Sequence, residues 1–430
     1  MKICVIGGGS TYTPELVDGL LRRRDRLPTD ELHLIDVDER RLDVLGPLAA
    51  RMCERRGGGI DVRWGNDRAQ GVRGADFVIS QVRVGGMAAR ERDEQLGREF
   101  GLVGQETVGV GGFANALRTI PVALDLAATI EREAPTAILL NFTNPAGLIT
   151  EALCRHTAVT TIGLCNVPWG FKMGVASAFG VPPDEIAMDY VGLNHLSWVR
   201  GVRVRDTERI DDVLTGLRPR GEHRRRGSSD PRDDVEFDPE TIRLMRAIPN
   251  PYLRYYYETA AMLRHQAATG TRAADVMAIE AALLVQYADP GLSEKPAELD
   301  QRGGAYYSET AAALMADLWT DAGTVHVVNI ANRGAIPGLQ ADAVVEVPAR
   351  VTRSGIEPIA TEPLRADVDA LVRTVKDFEL LTVAAAVDGD SDAAMLALLT
   401  NPLGPDASAA PALWSRLKEM NRGLLGALDG

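Results

Sequence analysis

The chain has 430 residues, which is more than one ordinary hydrophobic core accommodates, so two domains or one large two-lobed unit are expected. Apolar residues make up 45% of the chain and charged residues 25%, which is typical of a soluble globular protein. The formal net charge of -13 argues against binding to nucleic acid or to an anionic membrane, and an anionic substrate would require a local basic pocket.

Roughly the first 165 residues alternate short apolar runs with helical patterns. The apolar runs are mostly continuous, which is typical of strands buried on both faces of a parallel sheet. The predicted strands are Lys2–Ile6, Glu31–Ile35, Phe77–Val82, Ala137–Asn141 and Thr161–Leu164. Because helical segments lie between them, we expect an α/β protein whose N-terminal domain is a Rossmann-like, doubly wound parallel sheet.

A glycine-rich turn follows the first predicted strand. Gly7 and Gly9 match the start of a dinucleotide-binding fingerprint, although Tyr12 stands where its third glycine belongs. The first glycine permits a tight turn, the second lets the backbone approach a pyrophosphate, and the next helix, whose predicted cap is Thr13, presents its positive end. Asp36 ends the second strand, where a carboxylate accepts from a ribose hydroxyl and favours NAD over its 2′-phosphorylated form.

A thiol and an imidazole each follow an apolar run, Cys165 in Gly163–Asn166 and His195 in Gly192–His195. Such residues are more often packing residues than ligands, but Cys165 lies at the carboxyl end of a predicted parallel strand, where open α/β sheets place their sites. Asn144 lies just beyond another predicted strand. Two protein ligands leave positions open for substrate oxygens and water, and a nicotinamide site beside them indicates redox chemistry assisted by a Lewis acid.

From about Phe171 the pattern becomes mostly helical, and we expect a mixed α/β, helix-rich C-terminal domain. Arg218–Asp234 contains almost no apolar residue and is predicted to be a flexible surface loop. Its run Arg224–Arg226 is interpreted as solvated rather than as a nucleic-acid patch, because the chain is acidic. Other predicted helices are Thr241–Ala247, Tyr252–His265, Arg272–Tyr287, Ala370–Ala386 and Ala407–Leu425, and predicted strands are Val325–Asn329 and Ala343–Val347.

An aromatic cluster, Pro251–Tyr257, stands out in a chain with only 5% aromatic residues. On one helix Tyr252, Tyr255 and Tyr256 would share a face, and packing of that face against the sheet accounts for most of them. The alternative interpretation is that one phenol, near a metal and a nicotinamide ring, titrates low enough to act as a base.

Two arginines, Arg90 and Arg272, follow turn-like or glycine-containing segments. Surface salt bridges are one interpretation. A clamp for a substrate phosphate is the other, because the planar guanidinium fork matches the oxygens of a phosphate. No sequence feature supports a glycosidase that works with a pair of carboxylates.

The four cysteines, Cys4, Cys53, Cys154 and Cys165, are scattered rather than spaced as a disulfide framework. The N-terminus is a predicted strand with no charged leader, and no apolar run is expected to reach the length of a membrane span. We therefore expect a reducing, cytoplasmic setting.

Taken in order, these segments resemble glycoside hydrolase family 4, the NAD- and metal-dependent glycosidases. The resemblance covers almost the whole chain and departs from the family at Arg218–Asp234. The matching segments are VIGGGSTYTPEL at 5–16, GQETVGVGGF at 104–113, NFTNPAG at 141–147, GLCNVP at 163–168, GLNHLSW at 192–198, NPYLRYYY at 250–257, RGGAYYS at 302–308 and NPLGPD at 401–406.

The resemblance implies a role for each candidate site residue. NAD would be bound by Gly7, Gly9, Ser10 and Asp36, and a divalent metal, typically manganese, by Cys165 and His195. Tyr252 would be the base. Asn144 would contact the sugar, and Arg90 and Arg272 would bind its 6-phosphate. Glu106 falls in the GQET segment near the active site without a defined role. Asn166 stands where the α-specific 6-phospho members carry an aspartate, which implies the 6-phospho-β-glucosidase branch.

The implied reaction is hydrolysis of 6-phospho-β-glucosides to glucose 6-phosphate and an aglycone. NAD would oxidise C3, Tyr252 would remove the C2 proton while the metal stabilises the enolate, and the aglycone would leave C1 by elimination. The alternatives are an α-linked or non-phosphorylated substrate, an NAD-dependent hydroxy-acid dehydrogenase with His195 as acid/base, and a non-catalytic NAD sensor. The expected organisation is an NAD-binding domain at 1–170, a catalytic and oligomerisation domain at 171–430, and a homodimer or homotetramer.

Overall fold

The computed structural model describes residues 1–216, 235–302 and 306–429, so the predicted loop Arg218–Asp234 lies outside the described residues. The first elements are β1 (Lys2–Ile6), α1 (Thr13–Arg22), β2 (Glu31–Ile35), α2 (Glu39–Arg55), β3 (Asp61–Gly65), α3 (Arg68–Val72), β4 (Phe77–Ser80), α4 (Gly86–Glu99), α5 (Gly109–Glu133), β5 (Ile138–Asn141), α6 (Ala146–His156) and β6 (Thr161–Gly163). They are followed by α7 (Val167–Phe179), β7 (Ile186–Leu193), β8 (Leu196–Val204), β9 (Thr207–Glu208), α8 (Ile210–Gly216), α9 (Pro239–Met245), β10 (Ile248–Pro249), α10 (Arg254–Tyr257), α11 (Thr259–Ala268), α12 (Arg272–Tyr287), α13 (Tyr307–Thr320), β11 (Val325–Ala331), β12 (Val344–Thr352), β13 (Gly355–Pro358), α14 (Ala366–Asp388), α15 (Ser391–Thr400) and α16 (Ala410–Met420).

Nine strands form the main sheet, in the order β13-β12-β11-β6-β5-β4-β1-β2-β3. The six strands from β6 to β3 are parallel and have the order of a doubly wound fold, which confirms the predicted fold class. Both faces of the inner strands are buried: in β1, Cys4 and Ile6 pack into one hydrophobic core, and Ile3 and Val5 pack into the other. The strand order reverses between β1 and β4, so a crevice opens beyond their carboxyl ends.

Three antiparallel strands from the second half of the chain continue the main sheet. β11 pairs with β6, and β12 and β13 follow it outward. The two halves of the chain therefore share one sheet. The division of the chain at residue 170 stays a prediction.

A second sheet, in the order β10-β8-β7, is built on the long hairpin of β7 and β8. The prediction of a mostly helical pattern beyond Phe171 is wrong here. Asn194 and His195 form a two-residue turn between Leu193 and Leu196, which pair with each other. An asparagine-containing turn of two residues between runs rich in valine and aromatic residues is the local signal for such a hairpin.

Three local predictions also need correction. Thr13 is the first residue of α1 rather than its cap, and its hydroxyl donates to the Gly8 carbonyl at 2.8 Å. The predicted helix Tyr252–His265 is broken into a 3-10 turn, α10 and α11, because the backbone leaves the helical conformation at Glu258. β3 was not predicted, because it is an edge strand with largely exposed side chains and therefore has no continuous apolar run.

The longest helix, α5, is long and apolar enough to cross a membrane by length and composition alone. In the structure 72% of its most apolar window is buried within the protein, and Phe113, Leu117 and Ile120 belong to one hydrophobic core. No apolar run was expected to be long enough to span a membrane, but this helix meets the length and hydropathy criteria for such a span. Packing in the core explains its apolar character.

Candidate active site

A cavity of about 980 Å³ opens at the crevice beyond β1 and β4. Nine of the predicted site residues line it, namely Gly7, Gly9, Ser10, Asp36, Arg90, Asn144, Asn166, Tyr252 and Arg272. Cys165 and His195 are buried, and the His195 ring stacks on Tyr252. The fold thus brings residues from many separate segments to one region.

The glycine-rich turn forms one end of the cavity. Gly7 has a φ of +90°, a left-handed conformation that favours glycine, and its N–H donates to the Ile35 carbonyl at 2.8 Å. A Cβ at Gly7 would lie 2.8 Å from the Gln81 carbonyl oxygen, and a Cβ at Gly9 would lie 2.9 Å from the Asp36 carboxylate. Neither position has room for a side chain, so the backbone itself faces the cavity.

Asp36 holds this turn from the end of β2. One carboxylate oxygen accepts the Gly9 N–H at 2.9 Å, and the other accepts the Asp38 N–H at 3.0 Å. Arg41 on α2 donates to the Gly9 carbonyl at 2.8 Å and to Glu280 at 3.1 Å. The tight turn, the carboxylate and the N-terminus of α1 form the cradle that a dinucleotide requires, so the residues present fit NAD.

The cavity wall is positively charged, unlike the chain as a whole. Eight arginines and five acidic residues line it, an excess of three positive charges in a chain whose formal net charge is -13. The arginines are Arg41, Arg68, Arg83, Arg90, Arg98, Arg254, Arg272 and Arg302. This is the local basic pocket that an anionic ligand of an acidic protein requires.

Buried ion pairs form one side of the cavity. Glu106 pairs with Arg83 and, at 3.0 Å, with Arg90, whose Nε donates to Glu94 at 2.8 Å. Burial raises the pKa of Glu106, but Arg83 and Arg90 outweigh burial and lower it. Burial opposes the charge of Arg90, but Glu106 and Glu94 raise its pKa, so both groups stay charged. The salt bridges considered for Arg90 are therefore present but buried, not on the surface.

Glu94 connects these ion pairs to the second predicted clamp residue. Its other carboxylate oxygen accepts the N–H of Ala273 at 3.2 Å, at the N-terminus of α12. Arg272 is the first residue of α12 and donates to the Arg302 carbonyl at 3.2 Å. Arg90 and Arg272 therefore face one cavity beside a helix N-terminus, an arrangement that favours a phosphate.

Two asparagines follow neighbouring strands of the sheet, Asn144 after β5 and Asn166 after β6. The Asn144 side-chain oxygen accepts the Ala146 N–H at 3.3 Å, and its carbonyl accepts from Asn115 at 3.1 Å. Asn166 precedes α7 directly after Cys165. Asn144 and Asn166 both line the cavity.

Tyr252 lies in a one-turn 3-10 helix that Asn250 caps by accepting the Tyr252 N–H at 3.0 Å. Its ring stacks on His195, with centroids 3.7 Å apart and ring planes 7° apart, and the Tyr255 ring lies 6.1 Å away. The phenol is close enough to Arg90 for their charges to interact. A phenolate at Tyr252 would therefore be stabilised by the guanidinium.

Cys165 follows β6, and its sulfur accepts hydrogen bonds from the Val167 N–H at 3.5 Å and from the Asn194 side chain. Burial, followed by the Glu346 carboxylate, raises the pKa of the thiol. His195 follows Asn194 in the hairpin turn with a φ of +62°, a conformation that few residues other than glycine adopt. Cys165 and His195 thus come from different sheets, and Asn194, which bonds the Cys165 sulfur, directly precedes His195.

A thiol and an imidazole together suit a borderline divalent transition metal. Within the ranges 1–216, 235–302 and 306–429, no cluster of three or more His, Cys, Asp or Glu side chains is arranged to bind a metal ion. A metal held by Cys165 and His195 would have further coordination positions free for substrate oxygens, as catalytic metals do. Binding would require Cys165 to be in its thiolate form. The residues present fit a catalytic metal rather than a structural one.

Sequence reasoning did not identify Gln81, Arg83 or Arg302. Gln81 holds the glycine-rich turn by donating to one of its carbonyls at 3.0 Å, and Arg302 pairs with Glu280 and lies 3.9 Å from the centroid of the Tyr12 ring. The available signal for Gln81 and Arg83 was their position just beyond β4, at the carboxyl end of a parallel strand. Arg302 carries no such local signal.

The sequence matches the family model "Family 4 glycosyl hydrolase" over residues 2–181 and "Family 4 glycosyl hydrolase C-terminal domain" over residues 190–404. The chain is 40% identical to "Probable 6-phospho-beta-glucosidase" of Bacillus subtilis (strain 168), covering 99% of this chain and 97% of the relative. It is 37% identical to "6-phospho-beta-glucosidase" of Escherichia coli (strain K12), covering 94% and 91%. The 6-phospho-beta glucosidase from Thermotoga maritima, solved with manganese, NAD+ and glucose-6-phosphate, is similar with a TM-score of 0.91 at 36% identity, covering 98% of each chain.

Proposed function

The chain belongs to the family 4 glycosyl hydrolases, and on that premise we propose that it hydrolyses 6-phospho-β-glucosides to glucose 6-phosphate and an aglycone. The activity uses NAD+ and a divalent metal, for which Mn2+ is the best candidate. One observation carries the proposal most directly. The glycine-rich turn, Arg90, Arg272 and Tyr252 all open onto one cavity with an excess of positive charge.

When bound, NAD+ supplies a hydride acceptor for C3 of the sugar and the metal supplies a Lewis acid at the C2 and C3 oxygens. Tyr252 takes the proton from C2 and shares the cavity wall with the Arg90 guanidinium. Loss of that proton lets the aglycone leave C1 by elimination. Water then adds to C1, C2 regains a proton and the hydride returns to C3, which gives glucose 6-phosphate. The ring of His195 restricts the orientation of Tyr252 by stacking on it.

We assign substrate binding to charged and amide side chains that line the cavity. Arg90 and Arg272 bind the 6-phosphate, and Glu94 and Glu106 hold the Arg90 fork in a single orientation before the substrate arrives. Asn144 contacts the sugar. The cofactor is assigned to Gly7, Gly9, Ser10 and Asp36, which line the same cavity.

The preference for a β-linked substrate rests on Asn166 in the cavity wall and on the names of the relatives above. Side-by-side assay of α- and β-linked 6-phosphoglucosides tests it. Faster cleavage of the α-linked substrate would assign the chain to the other branch.

We also propose that the protein is a homodimer or homotetramer. The outer face of α12 is apolar and exposed, with Ala274, Ala278, Ala281 and Val285 on one side of the helix. Val285 is 77% exposed and lies on this apolar face, and contiguous exposed apolar faces mark interaction sites. Packing of this face against a second copy would bury it close to Arg272 at the start of the helix. Light scattering of the unmodified protein and of Val285→Asp tests the assembly.

A cytoplasmic setting accords with the cysteines, which are all free in the structure, three of them buried. A thiol that serves as a metal ligand also requires a reducing environment.

The proposed function is tested with a chromogenic 6-phospho-β-glucoside while NAD+ and Mn2+ are withheld in turn. Activity should require both and should proceed without net accumulation of NADH, because the hydride returns to the sugar. Stoichiometric NADH release would indicate a dehydrogenase instead. Full activity without either addition, after dialysis against a chelator, would contradict the proposal.

A further inference from the structure

The two predicted metal ligands lie on elements that belong to different sheets. Cys165 follows β6 of the main sheet, and His195 is in the β7–β8 turn of the second sheet. With only two protein ligands, the metal cannot by itself hold these elements at the right separation before substrate arrives. Some other contact must set that separation in the protein.

Glu346, on β12, is the residue where polar groups of the two sheets meet. Its side chain is 0% exposed, and four uncharged side chains donate hydrogen bonds to it. One carboxylate oxygen accepts from Asn194 at 3.0 Å and from Asn329 at 3.1 Å. The other accepts from the hydroxyls of Tyr190 at 2.9 Å and Ser197 at 3.3 Å.

These four donors come from both sheets. Asn329 is on β11 and pairs with Glu346 on one side and Gly163 on the other, so these three residues form a row that ends at the strand leading to Cys165. The other three donors belong to the β7–β8 hairpin. A buried carboxylate with four donors restricts the relative position of all of them, because any displacement leaves a buried polar group without its partner.

Asn194 transmits this restraint to the predicted metal ligands. Its amide donates to Glu346 and to the Cys165 sulfur, and it directly precedes His195 in the chain. A second branch reaches the predicted base: Ser197 accepts from the Asn250 side chain at 2.9 Å, and Asn250 accepts the Tyr252 N–H.

We propose that Glu346 is a positioning residue of the metal site, which acts through Asn194 to hold the His195 turn against Cys165. The inference rests on the proposed function, because it concerns the same metal. It assigns the effect to hydrogen bonding rather than to charge.

The test is Mn2+ binding to the purified full-length protein without substrate, measured by the electron paramagnetic resonance of free Mn2+ under reducing conditions. Asn194→Ala and Glu346→Ala should bind Mn2+ roughly 10- to 100-fold more weakly, as expected when an outer-shell partner of a ligand is removed. NAD+ affinity, measured by fluorescence, should not change. Glu346→Gln should keep nearly normal Mn2+ affinity, because its oxygen still accepts from Asn194 while its amide donates to the two hydroxyls.

A matched control is Asp93→Ala, which removes another buried carboxylate, on α4, whose partner is Arg118 on α5. It should lower thermal stability without weakening Mn2+ binding. Equal weakening in this control would assign the effect to general destabilisation and overturn the inference. Normal Mn2+ affinity of folded Asn194→Ala would also overturn it, and this variant decides the matter if Glu346→Ala does not fold.

Two further outcomes separate the inference from the function on which it rests. If Glu346→Gln loses as much affinity as Glu346→Ala, charge rather than hydrogen bonding matters and the inference is wrong. If the unmodified protein does not bind Mn2+ at all, both the metal site and the inference are wrong. If it binds Mn2+ and the variants bind equally well, only the inference fails.

Discussion

The imidazole of His195 and the phenol ring of Tyr252 lie face to face, with ring centroids 3.7 Å apart and ring planes 7° apart. A predicted metal ligand and a predicted base are thus held against each other by direct contact. The stack restricts the rotation of the phenol ring and would keep it next to a metal bound by His195. Changes at either residue are therefore expected to affect both metal binding and proton transfer.

Tyr252→Phe keeps the stacked ring and removes only the hydroxyl, so the fold should survive while kcat falls by roughly 10²–10⁴-fold, as for a lost general base. In heavy water, the unmodified enzyme should release glucose 6-phosphate with deuterium at C2, because the proton that Tyr252 removes exchanges with solvent. Mass spectrometry and proton NMR of the product measure this.

Tyr257→Phe is the matched control for this variant. Burial raises the Tyr257 pKa to about 12, so this phenol stays protonated at neutral pH and should not take part in proton transfer. Its removal should leave kcat nearly unchanged. A product without label at C2 would exclude the elimination route even if NAD+ and metal proved essential.

Cys165→Ser should abolish metal-dependent activity with little change in circular dichroism or melting temperature, because the substitution is small and removes the thiolate ligand. Oxidation of the unmodified enzyme should inactivate it, and a reductant should protect it. Cys154→Ser serves as the control, since this half-buried thiol lies outside the predicted ligand set. Full activity of Cys165→Ser after chelation and without added Mn2+ would refute the assignment.

Arg272→Ala and Arg90→Ala should each reduce the preference for phosphorylated over plain glucoside, because each removes a charge-assisted contact to the phosphate. The expected loss is roughly 10- to 150-fold in the ratio of kcat/KM values, or about 1.5–3 kcal/mol. Arg63→Ala, an exposed arginine paired with Asp61 at the sheet edge, should leave the ratio unchanged. Equal use of both sugars by the unmodified enzyme would remove the basis for a clamp.

Arg90→Ala should also be the more disruptive of the two substitutions. It leaves the buried Glu94 and Glu106 without one of their cationic partners, whereas Arg272 is itself only half-buried. A lower melting temperature for Arg90→Ala than for Arg272→Ala, measured by calorimetry, is the expected result. The reverse order would show that these ion pairs contribute little.

Asp36→Asn should weaken NAD+ binding and narrow the preference for NAD+ over NADP+, because the carboxylate accepts from the ribose hydroxyl and repels a 2′-phosphate. Fluorescence titration with the two cofactors measures both effects. Asp43→Asn, on the exposed side of α2, is a control of the same chemistry away from the cavity. Unchanged selectivity in Asp36→Asn would show that the carboxylate serves only to hold the Gly9 backbone.

The sequence alone predicted the fold class and the bounds of several elements, because their signals are local. β1 and β2 begin and end where their continuous apolar runs do, and α12 occupies the predicted range Arg272–Tyr287. It also predicted the glycine-rich turn, because the turn requires a positive φ at residue 7 and glycine adopts that conformation without steric cost. The β7–β8 hairpin was missed although its two-residue turn was a readable signal.

The relations between distant segments were decided only by the tertiary structure. The stack of His195 on Tyr252, the position of Glu106 between Arg83 and Arg90, and the burial of Glu346 join residues with no sequence proximity. Composition and periodicity record which faces are apolar, but they do not record which charged side chains share a buried site. That pairing depends on how two sheets pack, and the cost of burying an unpaired charge then determines which partners must meet.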